Sequence, residues 1–170
     1  PMSLIGKSIA QVFFSSAADA NRSGNLSIIT MTVFQKLVQI GLPVIMLVGL
    51  AAPELFAFIF GSEWWQAGVY AQWLAPWLFL VFISSPLSML PSILEKQQFD
   101  TLFQFISLLS MTIPLAVGAS LGNEHVSIAL FALVSALCRF GIVLWYMNLS
   151  NNKIKHTLLI MLSETVAVLP

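Results

Sequence analysis

Two cations stand where the chain is otherwise most apolar. Lys7 lies in PMSLIGKSIAQVFFSSAA and Arg139 lies in VSIALFALVSALCRFGIVLWYMNL. A charge inside an apolar span is costly, so it faces a bundle interior or a wet cavity and marks a path for a polar substrate. Arg139 precedes Leu149 by ten residues, ~15 Å of helix. Lys7 lies ten to twelve residues before the exit at Ala17 to Asp19, ~15–18 Å of helix. Both depths fall near the middle of a bilayer. Arginine binds phosphate bidentately and lysine adds a point charge, so the pair suits an anionic, phosphate-bearing head group. Ser3, Lys7, Gln11 and Ser15 recur every four residues and share one side of a helix. Ser135 and Tyr146 fall on the side of Arg139. Arg139, Lys7 and Gln11 are therefore the predicted substrate-binding residues. The competing reading is that each cation snorkels to an interface or pairs with a carboxylate elsewhere.

Other chemistry is sparse. Glu54 follows Pro53, and its simpler reading is a helix N-terminal carboxylate rather than a coupling group. His125 and His156 stand in separate turns, and Cys138 is the single cysteine, which excludes an internal disulfide. No metal-ligand spacing, nucleophile elbow or phosphate-cradling glycine loop occurs. The polar turns are only a few residues long, so neither an enzyme nor a bound cofactor or metal is expected.

The elements that must position these residues are helices in a membrane. Hydrophobic residues make up 58% of the 170 and charged residues 8%, with a mean hydropathy of +0.91. A soluble domain carries about 25% charged residues, so the polar surface is too small to cover a water-exposed globule. The net charge is zero, and nothing argues for nucleic acid. The predicted fold is all-α, a polytopic transmembrane helical bundle occupying the chain as one domain. Its complete spans are 26–60, 66–92, 101–119 and 126–149. Residues 1–18 read as the second part of a spanning helix, or as an interfacial helix. Residues 157–170 read as an interfacial tail or the start of a further span. Pro43, Pro76, Pro86 and Pro114 fall within spans, where helices bend. Small residues, Ala129, Ala132 and Ala136, permit close helix approach.

Basic residues alternate with the turns. The first, third and fifth turns and their flanks hold Arg22, Lys36, Lys96, Lys153 and Lys155, while the second and fourth hold only Glu63 and Glu124. The positive-inside rule places the odd turns in the cytoplasm and Trp64–Trp65 at the outer interface, as belt anchors.

PMSLIGKSIAQVFF at 1–14 and APELFAFIFGSEWWQAGVYAQWLAPWLFLVFISSPLS at 52–88 resemble motifs of the bacterial polysaccharide biosynthesis membrane proteins. These are the O-antigen and lipid-linked oligosaccharide flippases of the multidrug/oligosaccharidyl-lipid/polysaccharide exporter superfamily. The likeness covers most of the chain to about residue 100; beyond it only hydropathy agrees. It implies two six-helix lobes around a central cavity, with alternating access. This chain would be part of the second lobe, beginning within the eighth helix, with the first lobe absent. It also implies a multi-pass protein of the bacterial inner membrane. The implied substrate is an undecaprenyl-pyrophosphate-linked oligosaccharide, and the implied partners are the bilayer, a polysaccharide polymerase and assembly proteins. Two rival readings stand beside it. A drug or cation exporter of the same superfamily would carry a coupling carboxylate within a span. A non-transport scaffold of a glycan assembly complex would need no intramembrane charge.

Overall fold

The computed structural model describes residues 14–168, which are helical throughout with short turns. Helix α1 covers 14–22, and α2 is the long helix Leu26–Phe60. A 3-10 turn, Ser62–Trp64, leads into α3, Trp65–Leu87. A short α4, Leu90–Ile93, precedes α5, Gln97–Ser120, α6, Glu124–Leu149, and α7, Ile154–Val168. Four segments are long and apolar enough to cross a membrane: α2, the stretch Ser62–Ile93, α5 and α6. The all-α bundle expected from composition is what the chain forms.

Several boundaries differ from the expected ones for identifiable reasons. The span expected at 66–92 is broken at Ser88–Met89. Pro91 cannot donate to the carbonyl four residues back, so the helix stops and restarts with Pro91 in the first turn of α4, where its missing N–H costs nothing. The charged turn expected at 93–100 is shorter, because α5 begins at Gln97. Asp100 thereby falls in its first turn, where a carboxylate complements the helix dipole. Lys155 and His156, expected in a loop, belong to α7. Glu54 is not at a helix start: α2 runs unbroken through Pro43 and Pro53, and Glu54 is exposed on its side. The tail is a helix of 15 residues, ~22 Å, packed on α2 and α6 and absent from the membrane-crossing set.

The helices run up and down. At one end Ser27 Oγ donates to Asn152 Oδ1 at 2.9 Å, and Asn152 Nδ2 returns a bond to the Ser27 carbonyl at 3.1 Å. This joins the start of α2 to the turn after α6. At the same end of α6, Tyr146 Oη donates to Asp100 Oδ1 of α5 at 3.0 Å. The turns bearing Arg22, Lys96 and Lys153 therefore share one end of the bundle, hereafter the basic end. At the other end Tyr70 of α3 meets His125 of α6 at 3.1 Å, with Glu63 and Glu124 close by in sequence.

Helices α3 and α6 form the middle layer; α2 packs on α3, and α5 packs on α6. The core is lopsided. Its large buried side chains are Phe34, Val38 and Leu42 of α2, Phe79, Ile83 and Leu87 of α3, and Val143, Tyr146 and Met147 of α6, with Leu90 and Ile160. All lie in the basic half. Toward the other end the buried residues are small or proline: Ala52 and Pro53, Gly68 and Ala75, Pro114 and Gly118, Ser127, Ala132 and Ser135.

Candidate functional site

Arg139 belongs to a polar stripe along α6 formed by Ser135, Arg139 and Tyr146. Ser135 and Tyr146 stand four positions before and seven after it, so the three share a side of the helix. Both ends of the stripe are tied to α5. Ser135 Oγ donates to the Ser110 carbonyl at 3.1 Å, and Tyr146 Oη donates to Asp100. Arg139 stands half-buried between the two ties. The one ion pair among the described residues joins exposed Arg22 and Asp19 at 4.0 Å. No described carboxylate therefore neutralises Arg139 at ion-pair distance.

An apolar groove of about 570 Å³ runs between α5 and α6 beside this stripe. Ile106, Leu109 and Pro114 line it from α5, and Leu130, Val134 and Cys138 from α6. Cys138, adjacent to Arg139 in sequence, lines it toward the basic end. Arg139 itself does not line the groove; an anionic amphiphile with its chain there would have to reach round α6 from Cys138 to set its charged head against the guanidinium.

Of the three predicted binding residues, the structure places Arg139 alone. Lys7 and Gln11 lie outside the described residues. Ser135 and Tyr146, read from spacing, do flank it. Asp100 is the residue that sequence reasoning misses: it reads as part of a turn, and its bond to Tyr146 spans residues 46 apart in sequence.

A second polar cluster sits at the opposite end. Asn123 caps α6, its side-chain oxygen accepting from the His125 and Val126 amides at 3.0 and 3.2 Å. The cap turns His125 toward α3, where Tyr70 Oη lies 3.1 Å and Gln66 Nε2 3.5 Å from His125 Nδ1. The Tyr70 and Trp73 rings stand 5.6 and 6.3 Å from the imidazole. Sequence spacing offers no signal for this cluster. Trp64 and Trp65 are exposed at the same end, as anchors at an interface would be. The close packing expected of Ala129, Ala132 and Ala136 is incomplete, since they line a cavity of about 320 Å³ with Trp73 and Pro76.

No family model, curated protein or solved structure matches this chain.

Proposed function

We propose that the chain is a membrane-embedded part of a flippase that moves lipid-linked oligosaccharide precursors across the bacterial inner membrane by alternating access. The observation that carries this reading is Arg139. It is a half-buried cation inside a helix long and apolar enough to cross a membrane, without a described counter-ion, and next in sequence to Cys138, which lines an apolar groove. Burying an unpaired charge is expensive, and a ligand phosphate would offset that cost. Lys7 and Gln11 are proposed to meet the same head group. The segregation of Arg22, Lys96, Lys153 and Lys155 from the end bearing Glu63 and Glu124 supports a defined orientation, with the basic end in the cytoplasm.

The test is Arg139→Gln in the full protein, alone and with Lys7→Gln. A charge-assisted hydrogen bond contributes roughly 1.5–3 kcal/mol, so binding of a polyprenyl-pyrophosphate lipid in nanodiscs should weaken about 10- to 100-fold. Surface glycan should fall with it, and Arg139→Lys should recover part of both. Unaltered binding and export in the double variant would overturn the assignment. Cation-dependent drug efflux would point instead to an exporter of the same superfamily, and normal glycan export after gene deletion to a scaffold.

A further inference from the structure

In each hairpin opposite the basic end, the in-helix proline nearest the tip leaves a carbonyl without its usual donor. Pro53 in α2 cannot donate to Gly49, and Pro114 in α5 cannot donate to Ser110. In both cases the neighbouring helix supplies the missing donor. Gln72 Nε2 of α3 donates to the Gly49 carbonyl at 2.9 Å, and Ser135 Oγ of α6 donates to the Ser110 carbonyl at 3.1 Å. Glycine contacts stand close to both points. A Cβ on Gly68 would lie 2.4 Å from Pro53 Cα, and one on Gly118 would lie 2.3 Å from Ser127 Cα. The two hairpins are thus pinned at their prolines.

Beyond the pins the chain is hardly packed. Residues 54–67 contain no buried residue, and residues 115–126 contain only Gly118. The large buried side chains all belong to the basic half. What fastens the second tip across to α3 is His125, held by Tyr70 and approached by Gln66 of the first tip. Segments with few buried contacts open at low free energy, and a proline with a freed carbonyl is where a helix bends.

We propose that the two hairpin tips, 54–67 and 115–126, form a paired lid that swings about Pro53 and Pro114. Gln72 and Ser135 anchor the pivots, and His125 latches the second tip to α3. The basic half is the fixed base. The inference rests on how the hairpins pack and not on which solute is moved.

Distances between spin labels in the full protein in lipid vesicles, on a Cys138→Ser background, test it. One pair, F58C with L137C, reports the first tip; L121C with L78C reports the second. I40C with L159C is the control in the base. The parent should give a broad or two-component distribution for each tip pair and a narrow one for the control. Pro53→Ala restores the amide donor and should narrow the first pair. Gln72→Leu should broaden it, and adding Pro53→Ala to that variant should narrow it again. His125→Phe should raise the open fraction about five- to tenfold, the ratio expected from losing one hydrogen bond. Pro114→Ala and Ser135→Ala give an independent set on the second pair. Tip distributions that coincide in the parent, proline and anchor variants would overturn the lid. So would a control pair that changes as much as the tips.

Discussion

Tyr146 has the largest fully buried side chain among the described residues, and a buried hydroxyl needs a partner. It finds one in Asp100 at 3.0 Å, across the seam between α6 and α5. Tyr146→Phe keeps the ring volume and its contacts, and removes only the donor. Bonds to charged groups contribute roughly 1.5–3 kcal/mol, and half-exposed Asp100 can regain water, so a loss of about 1–2 kcal/mol is expected. Unfolding of the variant in a mixed-micelle denaturant titration measures this. Asp100→Asn retains an acceptor oxygen and should lose less. Equal losses in the two variants would mean that the carboxylate charge accounts for the whole contribution of the bond. Arg139 lies on the same stripe, and its two flanking ties hold α5 at a fixed register against it.

Among the helices, glycine decides how closely α2 and α3 approach. The Cβ of Gly68→Ala would stand 2.4 Å from Pro53 Cα and 2.6 Å from the Ala52 carbonyl oxygen. Both are backbone atoms, so the helices must move apart. Overpacking of this kind costs about 1–3 kcal/mol, read as a lower midpoint of thermal unfolding in detergent. Gly49 offers the contrast, because nothing stands within 4 Å of its added Cβ. Gly49→Ala should be neutral or stabilise by about 0.5–1 kcal/mol through helix propensity. Similar midpoints for the two alanine variants would rule out close approach at Gly68. Helix ends are set as locally. Gly122, at φ +66°, closes α5, with the amide of Asn123 reaching back to the Gly118 carbonyl at 3.5 Å.

Across the bundle, the separation of charge between the two ends predicts its orientation. Arg22, Lys96, Lys153 and Lys155 are exposed at the basic end, and no described lysine or arginine stands in the turns of the other. On a Cys138→Ser background, a membrane-impermeant maleimide applied to intact cells should label Ser62→Cys and Asn123→Cys. Ser23→Cys and Asn151→Cys should react only after the membrane is opened. Labelling of Ser23→Cys in intact cells would reverse the orientation and put Trp64 and Trp65 at the cytoplasmic interface. The lopsided core belongs to this scale too. Large side chains interlock in the basic half, while small residues and two side-chain-to-carbonyl bonds hold the other.

The helical class, the four segments long and apolar enough to cross a membrane, and the alternation of charged turns are all legible in the chain before it folds. They follow from hydropathy over windows of bilayer length and from lysine and arginine placement, which are properties of contiguous residues. Arg139 is legible too, because a cation within an apolar run is visible without a fold. Helix ends are less so: the break at Ser88–Met89 and the start of α5 at Gln97 depend on capping and proline geometry within a few residues. The partners of the polar groups emerge only when the helices pack. Asp100 reaches Tyr146, Gln72 reaches the Gly49 carbonyl, Ser135 reaches that of Ser110, and Tyr70 meets His125. Each pair joins two helices, and local periodicity gives the side of a helix a residue occupies but not what the neighbouring helix brings to it.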